Sequence, residues 1–533
     1  MKKILLVFFI FVGFVAAKDI TLDYLKSQPT GISRDFYIWL FLQQDIKPKE
    51  AKEAYDLAYK KNAKLFGLLY KKGDNKTLSR KTICQRMELS KLIKQDSNCI
   101  ASALTLKNAE KLDKNTLISL SKKIKEQNKT LSRNLAIMAS TNPFGELIKG
   151  SAANFGNFYF GVSAKYRAKL NKEIPTATLI KYIHSKNTTF FRAMKHAIIN
   201  QSYINLHASF LNLKVSDVAK FLDSEDLFYL GLNAIKYGDN KDALEYFMLS
   251  SKSAKYKINK NRALFWSYMA SKDMKYLQEL SLSDSVDIYT IASLELTGMK
   301  PSYEIHYDVS TNDTKASWDI TDPFKWVSIR DSKNKQKSIQ AVNHSNTKAH
   351  YLWLNKQKGI EYFLMPYKDV FGKYSSDKQA LLYALGRQES LFIPTAISTS
   401  YALGLMQLMP FNVVAISKEL NESDKIGYLD MFNPAINVRY AEYFTRPLIR
   451  EFNNHPLFIS YAYNGGPGFT RRFLANNDVF KKSNPLDPWY SLEVIPYEET
   501  RLYGKKVLAN YIIYQKAFGK ELKVNDILKE TLR

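Results

Sequence analysis

Between Pro175 and Pro301 the chain contains no proline. A proline inside a helix removes a backbone donor and clashes with the preceding turn, so a stretch this long without one can be helix throughout. Apolar residues in it recur at helical spacing. Leu227 to Tyr237 predicts one helix, ended by Gly238 in a C-cap role. Asp242 to Ser253 predicts its partner, with Ala243, Tyr246, Phe247 and Ser250 on one face, and Asn261 to Ala270 and Met274 to Leu280 repeat the pattern. Further upstream, Pro48-Lys49-Glu50 opens a helix with Ala51, Ala54, Tyr55, Ala58 and Tyr59 along one stripe. The expected fold is mainly all-α. Residues 18–296 form degenerate helical hairpins stacked as a solenoid or superhelix, 297–361 a polar linking region, and 362–533 a second α-rich domain. The aromatic stripe of the hairpins could stack on sugars, but hairpin core is the preferred reading.

Composition narrows the class. The 533 residues are 45% hydrophobic, enough for sizeable cores. The formal net charge of +27 favours anionic partners, although a lysine-rich codon bias would produce the same balance. No compact basic motif or zinc-finger spacing points to nucleic acid. Met1-Lys2-Lys3, the apolar run Ile4 to Val15 and Ala16-Ala17 read as a signal peptide over 1–17. That run is short for a membrane anchor, so no stable membrane insertion is expected. Export makes Cys84 and Cys99 a disulfide candidate pair, set against two buried thiols. The seven histidines show no paired helical spacing, so no catalytic metal and no cofactor are expected. Glu126 to Thr130 contains an Asn128-x-Thr acceptor, for which an unmodified surface turn is the preferred reading.

Chemistry concentrates in Leu385 to Pro410. Ala380, Leu381, Ala384 and Leu385 predict an apolar helical face over Ser376 to Ser390, with Ser376 as N-cap and Pro394 as the stop. Glu389 then lies near the helix C-terminus beside Leu391 and Phe392. The dipole and desolvation both disfavour its charge there, which suits a general acid. Gly404-Leu405-Met406-Gln407 follows, then Ala462-Tyr463-Asn464-Gly465-Gly466-Pro467, then Glu499-Thr500-Arg501 with Tyr503.

This ordered set resembles the catalytic domain of the soluble lytic transglycosylases, in the lysozyme-like superfamily. The family pattern is Glu-Ser, a serine nine residues after that glutamate, Gly-Leu-Met-Gln, Ala-Tyr-Asn-Ala-Gly-Pro, and Glu-Thr-Arg with a following tyrosine. Gly465 stands where the family has alanine, and Ala441 where it often has glycine. The resemblance implies Glu389 as sole acid and then base. It implies Ser398, Met406, Gln407, Tyr463, Asn464 and Glu499 as residues lining the site. Tyr463 could hydrogen-bond Glu389 or the reacting centre, while Asn464 could simply end a helix and Glu499 could pair with Arg501. The implied substrate is the peptidoglycan glycan strand in the periplasm. The bond between N-acetylmuramic acid and N-acetylglucosamine would be cleaved without water to leave a 1,6-anhydro sugar. A water-using muramidase, or a non-catalytic wall-binding scaffold, are the alternatives.

Overall fold

The structure is a computed structural model, and it describes residues 20–73, 79–357, 359–475 and 478–533. The expected signal peptide over 1–17 lies outside the described residues. Helices dominate, as expected; the strands among the described residues are Glu304–His306 and Ile360–Tyr362. They pair in parallel, with Ile305 opposite Glu361. The chain divides into two compact units. One gathers Met1–Asn75, Tyr303–Arg472 and Leu502–Val524; the other gathers Lys76–Ser302, Phe473–Arg501 and Asn525–Arg533.

The second unit contains the hairpins. Ser224–Lys236, Asn240–Ser253, Lys257–Ser271, Lys275–Ser281 and Ile288–Thr297 follow one another with short turns. Gly238 ends the first of them with φ +84°, a conformation open to glycine. The aromatic stripe is core: Phe247 lies 5.4 Å from Phe228 and 5.9 Å from Trp266, ring centre to ring centre, and all three are buried. At Gly231 an added Cβ would come 2.7 Å from a Phe247 ring carbon, so only glycine lets these helices approach so closely. Cys84 and Cys99 are joined by a disulfide between the helices Arg80–Arg86 and Ser97–Ala103. Asn128 caps Lys129–Ala139: its Oδ1 accepts from the Leu131 amide at 2.9 Å, and its Nδ2 donates to the Ala101 carbonyl at 3.2 Å. The nitrogen a glycosylation would modify is therefore already held at a helix start.

The same unit includes Phe473–Arg501, which differs from the expected boundary at 362. The reason is a buried polar knot. Glu493 is fully buried and accepts from Trp266 Nε1 at 3.3 Å and from the Tyr289 hydroxyl, with Arg262 Nη1 3.8 Å away. Trp489 packs 4.2 Å from Phe265. A carboxylate with these partners cannot leave the hairpins without exposing an unpaired charge network.

The first unit likewise draws on distant segments. Its helices Ile32–Phe41 and Ala63–Lys71 come from the expected solenoid. They pack on the loop after the Glu389 helix: Tyr401 is fully buried 5.9 Å from Phe36 and 5.8 Å from Trp39, and its hydroxyl accepts from Asn62 Nδ2 at 2.9 Å. The segment expected to be a linker is folded too, with helices Pro323–Arg330, Lys335–Val342 and Lys348–Leu354. Among the described residues no helix is long and apolar enough to cross a membrane.

Candidate active site

Glu389 sits on the last turn of Ser376–Ser390. Residues 380 to 386 are buried continuously, so this helix is core on all sides before it reaches the site. Ser375, not Ser376, precedes its first turn, and it makes no side-chain cap. The helix does not wait for Pro394 to stop. Leu391 and Phe392 both turn left-handed, with φ +53° and +66°. Two bulky residues in that region are strained, and burial holds the second in place. Phe392 is 1% exposed and lies 5.9 Å from Tyr383.

Glu389 itself is half-buried. The Tyr503 hydroxyl donates to its Oε1 at 2.6 Å. Tyr503 is carried by the helix Glu498–Ala517 and was not among the expected site residues. Its only signal in the sequence was the tyrosine following Glu-Thr-Arg. The two helices are locked together one level deeper. Arg387 Nη1 donates to Asn510 Oδ1 at 2.9 Å, and Asn510 Nδ2 donates to the Ala384 carbonyl at 3.2 Å.

Tyr463 does not take the partner first expected for it. Its hydroxyl donates to the Met406 carbonyl at 2.7 Å, and its ring meets Phe444 edge-on at 5.4 Å. Burial pushes the Tyr463 hydroxyl well above the usual phenol range, with the Glu389 charge acting in the same direction. Burial does the same to Tyr503, followed by the charge of Glu389, that of Tyr463 and the hydrogen bond to Glu389. Both phenols therefore remain protonated donors. The charge of Glu389 acts on both of them.

The loop from Ser398 to Leu408 is built on backbone hydrogen bonds. Leu403 pairs with both Ile397 and Leu408. Gly404 has φ +77°, and a Cβ there would lie 2.2 Å from the Met431 carbonyl oxygen. Asn437, fully buried, bridges the loop: its Oδ1 accepts from the Met406 amide at 2.7 Å and its Nδ2 donates to the Leu403 carbonyl at 3.2 Å.

The expected lining residues divide accordingly. The half-buried Ser398 accepts at Oγ from the Ser400 amide at 3.2 Å and the Ala402 amide at 3.0 Å. That leaves its O–H as the donor it can offer a ligand. Gln407 Nε2 donates to the Ala396 and Gly404 carbonyls at 3.0 and 2.8 Å, so its amide nitrogen holds the loop. The Met406 side chain is fully buried and cannot line an open cleft; its carbonyl holds Tyr463 instead. Asn464 is half-buried in the last turn of Pro456–Gly465, which Gly466 ends with φ +87°. Glu499 is exposed and lies in the other unit. Arg501 is buried and donates to the Ile495 carbonyl. Among the described residues no group of three or more metal-ligating side chains is assembled.

Residues 370–485 match the family model described as Transglycosylase SLT domain. The soluble lytic murein transglycosylases of Salmonella typhimurium and Escherichia coli K12 are each 30% identical over 215 residues, covering 38% of this chain. The match spans about a third (32%) of the length of these relatives. Over 94% of this chain and 83% of the other, the solved 70 kDa soluble lytic transglycosylase of Escherichia coli is 16% identical, with a TM-score of 0.47.

Proposed function

We propose that this chain is an exported lytic murein transglycosylase that acts on peptidoglycan glycan strands in the periplasm. The observation that carries the reading is the pairing of Tyr503 with Glu389 at 2.6 Å, Glu389 lying within residues 370–485 that match the SLT domain and Tyr503 C-terminal to them. Glu389 of the first motif and Tyr503 of the last are thereby hydrogen-bonded to each other.

In this reading the protonated Glu389 first gives its proton to the oxygen linking N-acetylmuramic acid to N-acetylglucosamine. The C–O bond to the anomeric carbon breaks and the departing sugar leaves with a hydroxyl. The same carboxylate then takes the proton from the muramic 6-hydroxyl, whose oxygen closes on the anomeric carbon as a 1,6-anhydro ring. No water is consumed, and Glu389 ends protonated as it began. Intramolecular attack needs no second carboxylate to activate a nucleophile, because proximity supplies much of the rate. Tyr503 orients Glu389 and stabilises its anion between the two steps. Tyr463 acts through the Met406 carbonyl to keep the Ser398–Gln407 loop against the site. Ser398 offers its hydroxyl proton to the acetamido group, and Gln407 and Asn464 flank the sugar.

The test is mass spectrometry of purified peptidoglycan after digestion. Anhydro muropeptides, lighter by one water than hydrolysis products, support the reading. Reducing-end products would make the protein a muramidase, and binding without products would make it a scaffold.

A further inference from the structure

We propose that a cavity of about 460 Å3 beside the end of the Glu389 helix is a second, neutral saccharide subsite. The proposal rests on the transglycosylase reading for its substrate class. The cavity lies wholly within the first unit and is walled by the N-terminal segment around Ile32 and Tyr59, by the helix Pro323–Arg330 and by residues 393–397. Its volume suits a small ligand.

Its aromatic wall is set in advance. Trp353 is 48% exposed, and its ring meets Trp326 edge-on at 5.7 Å. Trp326 is itself buried, edge-on to the fully buried His350 at 4.7 Å. Trp353 is thus held from behind while half its surface stays open, and Tyr59 adds a second exposed ring. A pyranose presents an apolar C–H face with a hydroxylated edge, which suits an aromatic wall with a few polar groups.

The polar group is Thr395. It lines the cavity, is 3% exposed, and its Oγ1 has no hydrogen-bond partner among the described residues. Buried hydroxyls are ordinarily paired, so this one awaits a donor or acceptor that the ligand brings. Charge selects the ligand class. The charged side chains lining the cavity are Arg330 and Asp331, and they form a two-point pair at 2.7 and 2.8 Å. The guanidinium is engaged and its charge offset, so an anionic stem peptide gains little there while a neutral sugar loses nothing. Ser390, the residue after Glu389, also lines the cavity, so its occupant adjoins the catalytic helix.

The experiment titrates a β-1,4-linked N-acetylglucosamine tetrasaccharide into the full chain carrying Glu389→Gln, by calorimetry. Trp353→Ala in that background is expected to weaken binding about tenfold. Thr395→Val should weaken it by roughly 2- to 10-fold, while Thr395→Ser, which keeps the hydroxyl, binds as its parent does. Circular dichroism confirms that each variant is folded. Unchanged affinity in both Trp353→Ala and Thr395→Val overturns the subsite, as does a Trp353-dependent site that takes an acidic stem peptide and not the saccharide. The muropeptide products of the wild type are read separately. Anhydro products with Trp353-independent binding remove the subsite and keep the function. Trp353-dependent binding without turnover does the reverse.

Discussion

The Tyr503 hydroxyl donates to Glu389 Oε1 at 2.6 Å across 114 positions of sequence. A phenol kept protonated by burial and by its neighbour's charge is a fixed donor to a carboxylate that must change its own protonation twice in the proposed cycle.

Replacing Glu389 with Gln keeps shape but removes the transferable proton. With one group acting as acid and base, both steps fail together. Turnover of purified peptidoglycan should fall by about 100- to 10,000-fold, toward the upper end, while wall binding in a pull-down persists. Near-normal turnover would take Glu389 out of the mechanism.

Tyr503→Phe removes one charge-assisted hydrogen bond and little volume. Such bonds are worth about 1.5–3 kcal/mol, which predicts a loss of roughly 10- to 100-fold in kcat with KM little changed. Because its pKa is raised well above 10.0, Tyr503 stays a donor through the alkaline range. The wild-type rate profile should show no limb from this phenol below pH 10.0. A KM effect alone would make Tyr503 a substrate contact instead.

Gly404→Ala should damage folding and activity together. The left-handed φ by itself costs about 1–3 kcal/mol, and the Cβ would overlap the Met431 carbonyl and Asn437. A lowered denaturation midpoint measures the effect; an unchanged midpoint would mean that the loop re-forms around the methyl.

Two histidines make the second unit acid-sensitive. Burial, and after it Lys236, pushes His207 down to about 4; its Nε2 donates to the Ala197 carbonyl at 2.9 Å and its Nδ1 faces the Tyr237 hydroxyl at 2.9 Å. Burial, followed by Arg167 and Arg192, pushes His196 down to about 4 as well. Unfolded, each takes its proton near 6.5, so between 6.5 and about 4 the unfolded chain binds more protons than the folded one. Their stabilising contribution is present above 6.5 and is lost as pH falls to about 4. At the acid limit it amounts to roughly 3 kcal/mol for each. Urea midpoints should fall across this window, and His207→Gln should flatten the slope.

The disulfide closes a loop of 15 positions. Loop closure of that size is worth about 3 kcal/mol in the chain-entropy model. Thiol labelling of denatured, unreduced protein should find no free cysteine, and reduction should lower the melting temperature.

The hairpins were legible because their information is local. Helical spacing, the absence of proline and Gly238 in its turn each act within a few residues, and the Ser224–Lys236 and Asn240–Ser253 helices form where that spacing predicts. Glu389 and the Gly404 loop were legible for a related reason: short motifs record a backbone that few other residues would permit. Pairings were not legible, because a side chain's sequence neighbours do not say which distant group will meet it. Tyr463 was the tyrosine expected to reach Glu389, but packing gave it to Met406 and put Tyr503 on Glu389 instead. Met406 read as cleft floor, but the core closed over it. The boundary expected at 362 gave way because Glu493 needs Trp266, Tyr289 and Arg262 to be buried at all. Local spacing and short motifs were enough to read the helices and to single out Glu389. Which tyrosine holds that carboxylate was settled only in the tertiary structure, because burial leaves each polar group only the partners that the fold brings within reach.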